Sequence, residues 1–219
     1  MNIAILGWGS LLWDDQPKHA WFKDTIGDWQ ETGPTLPIEF CRISSSRKRA
    51  LTLVLQPAPI GSPCRVSYSL SKRTELTEVI ADLVKREGSE SIGLCVNGDA
   101  AEGKGQFPEM IALIQAWLDA IEPKIDAVIW TDLENNFEAE GTGSRPFSVA
   151  DALIYLKGLS PEARSKAAEY IWRAPDFVQT KLRKAVETWP CPASLRAKAK
   201  GPAKRPRPKA PKHAGKRRR

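Results

Sequence analysis

The chain has 219 residues, 42% hydrophobic and 27% charged, with a formal net charge of +7. It is long enough to bury a sizeable core, and no apolar run approaches the ~18 residues that a membrane span needs. The N-terminus lacks the basic residues and small-residue cleavage site of a signal peptide. Four dispersed cysteines without a CxxC pair and only two histidines, His19 and His213, argue against structural zinc and most histidine-activated nucleophiles. Buried free thiols in a reducing cytoplasm are the expected state.

In chain order, residues 2–6 read as a short buried strand that runs into the glycine turn of "ILGWGSLLW" (5–13). Residues 14–34 are polar with interspersed tryptophans and read as a loop with short helical pieces. "LPIEFCRISS" and "RALTLVLQP" read as an antiparallel hairpin turning at "SRKR", and "CRVSYSLS" (64–71) as a further strand. The period then changes. Leu76, Val79, Ile80, Leu83 and Val84 fall on one helix face, with Thr74 as N-cap and Gly88 as the residue that closes the C-terminus. A second helix carries Phe107, Met110, Ile111, Ile114, Trp117, Leu118 and Ile121 on one stripe. "DAVIWT" (126–131) is another buried strand. Helical patterns resume over 148–157, after Pro161, and from Pro175 to Trp189.

Twelve of the 33 basic residues lie in 196–219 with no acid among them, which leaves 21 basic against 26 acidic residues in the rest. The body is therefore mildly acidic and one tail makes the protein basic. That tail has no leucine, isoleucine, valine or aromatic residue and cannot bury enough surface to offset its ordering entropy, so it is expected to be disordered. Two readings of it stay open: a solubilising or localising extension, or a weak, salt-sensitive arm for nucleic acid or another polyanion.

Two glycines ending a buried strand raise the question of what approaches the backbone there. A dinucleotide fingerprint requires GxGxxG opening a helix, but after Gly7 and Gly9 the third position is Leu12; no GK[ST] is present for a P-loop. "GWGSLLW" after an N-terminal strand instead resembles the YGSL or YGSN loop of the gamma-glutamylcyclotransferase family. A second feature agrees in order: strand "CRVSYSLS", helix "ELTEVIADLVKR", then Glu87-Gly88. The resemblance covers roughly residues 2–95. It departs from the family where Trp8 replaces the usual tyrosine, and where "SIGLC" with Cys95 follows in place of a second tyrosine.

The resemblance implies conversion of a gamma-glutamyl amine or peptide into 5-oxoproline and a free amine, with no metal or cofactor. The substrate's own α-amine attacks its γ-carbonyl, so the nucleophile is already tethered. The resemblance implies Glu87 as acid/base and the backbone of Gly7, Trp8, Gly9, Ser10 and Leu11 as the substrate-holding turn. Backbone N–H groups of such a turn can hold a carboxylate or an oxyanion. The C-terminal end of a helix dipole and burial both raise a glutamate's pKa, while Lys85 and Arg86 oppose this if they point inward. Glu39, Asp132 and Glu134 are competing acids that read as strand-edge or capping residues. Ser10 reads as a turn-holding or ligand-bonding residue, with His19 the only histidine in plausible reach.

The expected fold is α+β: a small mixed, mostly antiparallel barrel or sheet with flanking helices. Residues 1–145 form the cyclotransferase-like domain, 146–190 a helical extension packed on it, and 191–219 the basic tail. The alternative from another class is a non-catalytic ligand-binding protein that works through its tail.

Overall fold

The computed structural model describes residues 1–141 and 143–186, without the side chains of 99–102. Its first strand, β1 (Ile3–Gly7), is buried along its whole length. Alternation sends Ile3 and Ile5 to one face and Ala4 and Leu6 to the other, and each set joins a different hydrophobic cluster. A strand apolar on both faces belongs in the middle of a sheet covered on both sides. β1 pairs antiparallel with β5 (Ser67–Leu70) and parallel with β8 (Ala127–Thr131), which continues antiparallel to β6 (Ile92–Val96) and β7 (Asp99–Lys104). Helix α2 (Leu76–Glu87) lays Val79 and Leu83 against Ile3, Ile5 and Ile129, with Phe22 of α1 (Ala20–Thr25) completing that layer.

The predicted hairpin is β2 (Thr35–Ser44) and β3 (Ala50–Leu55), turning through Ser45–Arg49. With β4 (Ser62–Arg65) they form a second, three-stranded sheet. The expected barrel is not closed: the described strands make two open sheets, five-stranded and three-stranded. The single strand predicted over 64–71 is divided. It is two strands, β4 and β5, with the fully buried Val66 between them. The Val66 N–H donates to Pro34 O at 3.0 Å and so carries the β2–β4 register one residue further. The chain passes from the three-stranded to the five-stranded sheet directly after it.

Helix α2 begins one residue later than expected, with Glu75 rather than Thr74 at its N-cap and no side-chain capping bond. Gly88 closes it in the left-handed conformation at φ +67°. Helix α3 (Pro108–Ala120) matches its stripe, while α4 (Phe137–Glu140), β6 and β7 lacked a readable pattern. In β6 the cause is specific. Gly93 faces Trp130 across the ladder, and a Cβ there would lie 2.0 Å from the indole. The tryptophan thus imposes a glycine that weakens the strand signal.

Helices α5 (Val149–Gly158) and α6 (Pro161–Arg173) form where expected. The predicted helix from Pro175 to Trp189 is only α7 (Lys181–Ala185) within the described residues, started by the Thr180 side chain, which accepts from Arg183 N–H. The basic tail, and with it Cys191, lies outside the described residues. Ala152, Leu156, Ala167, Ile171 and Leu182 belong to the same cluster as Ile38, Phe40 and Leu51, so the C-terminal helices and the second sheet share one core. Cys41, Cys64 and Cys95 are buried free thiols. Among the described residues no helix is long and apolar enough to cross a membrane.

Glu39 ties these layers together. It is fully buried on β2, accepts Phe40 N–H at 2.9 Å with one oxygen, and accepts Lys181 N–H at 3.0 Å with the other. It is a capping residue, held by the first turn of α7, and burial pushes its pKa above the usual carboxylate range despite those bonds. Truncation of Glu39 to Ala orphans buried N–H groups and leaves a void, so a loss of about 2–4 kcal/mol is expected. Urea unfolding measures this directly.

Candidate functional site

Because β1 and β8 run parallel, Gly7 and Thr131 finish at the same end of the five-stranded sheet. A cleft of about 600 Å³ opens there, walled by the β1 turn, the β2–β3 hairpin, the end of α2 and one side chain of α6. Its lining contains Gly7, Trp8, Gly9, Ser10 and Leu11 together with Glu87 and Gly88. The structure thus brings every sequence-predicted site residue to one cavity. Glu39 lies elsewhere. Asp132 accepts Gln106 N–H at 2.7 Å and Trp130 Nε1–H at 3.2 Å, and the Glu134 carbonyl accepts from Arg42 at 2.7 Å. These are structural roles.

The turn after β1 is closed by its own carbonyls. Leu12 N–H donates to Gly9 O at 3.1 Å, and Ser10 O accepts both Trp13 N–H at 3.2 Å and Asp14 N–H at 2.8 Å. The backbone N–H groups of Trp8, Gly9, Ser10 and Leu11 donate to no described residue. Orphan amides in succession beside a cleft form the kind of nest that accepts an anion. Trp8 is buried, and its indole N–H donates to Leu53 O at 3.3 Å. It anchors the turn to β3, so the departure from tyrosine at this position supplies a structural bond rather than a hydroxyl.

The two glycines differ. A Cβ on Gly7 would come within 2.9 Å of the Trp29 ring, so Gly7 is required by packing. A Cβ on Gly9 would meet only Leu53 Cδ1, at an ordinary 3.9 Å. The protein's own packing therefore does not require the second glycine, and Leu53 itself lines the cleft.

Glu87 ends α2 with its side chain 17% exposed. Burial raises its pKa; Arg86 and Arg47 pull the other way, and Asp14 adds to the rise. Arg86 does point inward. Its side chain is 2% exposed and reaches Glu87 Oε1 at 3.3 Å, Asp14 Oδ2 at 3.8 Å and Ser10 O at 3.4 Å. Lys85 instead lays its ammonium over the Trp21 ring at 4.2 Å. Arg47, from the hairpin turn, donates to Ser10 Oγ and to Asp14 Oδ2, each at 3.2 Å. Burial works against the charge on Asp14, but the Gln16 N–H and the two guanidinium groups outweigh it and hold its pKa below the usual value.

Arg47 and Tyr170 were not marked by the sequence, and Arg86 was marked only as a charge that opposes the Glu87 shift if it points inward. Arg86 left a signal, because it extends the buried stripe of Val79 and Leu83 by one turn. Arg47 left none beyond its place in a turn. Tyr170 comes from α6, far along the chain, and its ring lies under the Arg47 guanidinium at 4.7 Å and edge-on to Trp13 at 5.1 Å. Its hydroxyl interacts with Ser10, and burial pushes its pKa well above the usual phenol range. Helix α6 thus brings a tyrosine to the lining of the cleft. His19 also lines the cleft, and burial and the nearby Arg86 hold its pKa below the ordinary imidazole value. No family model, curated protein or solved structure matches the chain.

The glycine contrast makes a direct test of the cleft. Gly7→Ala is expected to lose about 1–3 kcal/mol, since Trp29 must move. Gly9→Ala should stay within about 0.5 kcal/mol of wild type while weakening ligand binding, because its methyl enters the cleft. Thermal unfolding beside calorimetric titration with 5-oxoproline separates the two effects.

Proposed function

We propose that this protein is a cyclotransferase that converts a gamma-glutamyl amide into 5-oxoproline and a free amine. The observation that carries the reading is the meeting of Glu87 and the Gly7–Leu11 turn in one cleft. One glutamyl unit must touch both a proton carrier and a set of amide donors during ring closure, and here they share a cavity of fitting size.

The reaction begins with the substrate's α-ammonium beside Glu87. The ionised carboxylate takes a proton, and the freed amine attacks the γ-carbonyl carbon, four bonds away along the substrate, to close a five-membered ring. Negative charge gathers on the carbonyl oxygen as the new C–N bond forms. Amides already oriented toward a developing oxyanion stabilise it without reorganisation, and the unpartnered N–H groups of Trp8 to Leu11 suit that task. Protonated Glu87 then returns its proton to the leaving nitrogen, the amide C–N bond breaks as the carbonyl re-forms within the lactam, and the surplus proton on the ring nitrogen passes through the regenerated carboxylate to the released amine, which departs as an ammonium. One carboxyl serves as base and then as acid. An elevated pKa helps the second step, because a carboxylic acid delivers its proton more readily near working pH than one that stays ionised.

The neighbouring charges keep this group responsive. Arg86 and Arg47 stabilise the anion, whereas burial stabilises the acid. Ser10, fixed by Arg47 and facing Tyr170, holds the turn rather than acting as a nucleophile.

Glu87→Gln preserves volume but can neither accept nor return the proton, so 5-oxoproline release should fall by about 10²- to 10⁴-fold, with the variant folded by circular dichroism. Because the pKa is raised and the base form acts first, wild-type kcat/KM should climb with pH through a midpoint above the ordinary glutamate value. A folded variant as active as wild type removes Glu87 from the chemistry. If wild type binds gamma-glutamyl compounds and turns over none across a broad panel, the non-catalytic binding reading replaces this one.

A further inference from the structure

The charges on the cleft wall exceed what a glutamyl group needs. Lys18, Arg42, Arg47, Lys85 and Arg86 line it, against Glu87 as its one carboxylate among the described residues. A bound gamma-glutamyl head brings one ammonium and one carboxylate and is neutral overall. Within the cluster, Arg47 and Arg86 are matched by Asp14 and Glu87. The remaining cations have no such match. Arg42 is held by the Glu134 carbonyl, Lys85 rests on an aromatic face, and the exposed Lys18 has no partner among the described residues. A cleft with one sign of charge on low-dielectric walls concentrates ligands of the other sign.

We infer that the amine half of the substrate is acidic: Lys18, Lys85 and Arg42 select gamma-glutamyl compounds whose leaving half carries carboxylates, over those that release an uncharged or cationic amine. This deepens the cyclotransferase reading and rests on it for the neutral head. The division of labour is spatial. The turn and Glu87 act on the part common to all gamma-glutamyl amides, and the outer cations read the part that differs. Like-charge placement also rejects cationic amines, which would meet these side chains unpaired.

The selection is read by binding, so it does not depend on turnover. Calorimetric titration of Glu87→Gln with gamma-glutamyl-glutamate and gamma-glutamyl-alaninamide should give at least tenfold tighter binding for the first at low salt. That ratio should shrink toward one at high salt, because exposed charges are screened, and also in Glu87→Gln carrying Lys18→Glu and Lys85→Glu. If Glu87→Gln does not fold, N-acetylated forms of the two peptides, whose blocked amine cannot attack, are titrated into wild type and its double charge reversal. Equal binding of the two peptides, or a preference that the charge reversal leaves unchanged, overturns the inference. Release of 5-oxoproline by wild type is scored separately. Equal turnover of both peptides overturns the charge selection and leaves the cyclotransferase standing. Tight, charge-selective binding without release keeps the selection and overturns the cyclotransferase.

Discussion

Arg86 presents the constraint from which the rest of this site follows. Its guanidinium is almost wholly withdrawn from water, and a buried charge persists only when paired and hydrogen-bonded. Three partners meet it: the Asp14 and Glu87 carboxylates and the Ser10 carbonyl. To deliver Asp14, the chain must double back within a few residues of β1, which is why Ser10 O closes the turn onto Trp13 and Asp14. That closure employs the carbonyls and leaves the preceding amides unpartnered. The unpartnered amide face of the turn is thus a by-product of bringing a counter-ion to a buried arginine.

The same cluster unites elements that are distant in sequence. Arg47 arrives from the hairpin of the three-stranded sheet, Arg86 and Glu87 from α2, and Tyr170 from α6. Arg47 joins them by sharing Asp14 with Arg86 while stacking on Tyr170. Trp13 extends the stack, since Arg173 lies over its ring at 4.3 Å and donates to its carbonyl at 3.0 Å. The C-terminal helices are therefore part of the cleft's construction. They share the core of the second sheet through Glu39 and α7, and they share the site through Tyr170.

Periodicity exposed the parts of the fold that bury one face against one neighbour. The α2 stripe, the β2–β3 hairpin, α3, α5 and α6 were legible for that reason. Elements set by tertiary detail were not. Val66 looks like any strand residue, and its N–H still pairs with Pro34 in the β2–β4 register, so nothing local marks the break between β4 and β5. β6 was hidden by the glycine that Trp130 demands. At the site, Glu87 and the glycine turn stood out through a resemblance of motif and order. Tyr170 could not, because nothing local in "AAEYIW" tells that its ring will end under an arginine of another element. Arg86 lay between these cases: a charge on an apolar stripe is a readable anomaly, but its partners are fixed only by the fold.

If Glu87 carries the proton in a cleft that holds a ligand against the Gly7–Leu11 turn, its carboxyl must respond to both pH and ligand. Carbon-detected NMR of the side-chain carboxyl follows that group directly as pH is varied, with and without saturating 5-oxoproline. A midpoint above the ordinary glutamate value is expected in the free protein. A displaced midpoint is expected with the ligand bound, together with amide shifts confined to the turn and the end of α2. A Glu87 carboxyl that titrates as a solvated glutamate and ignores the ligand would contradict that role.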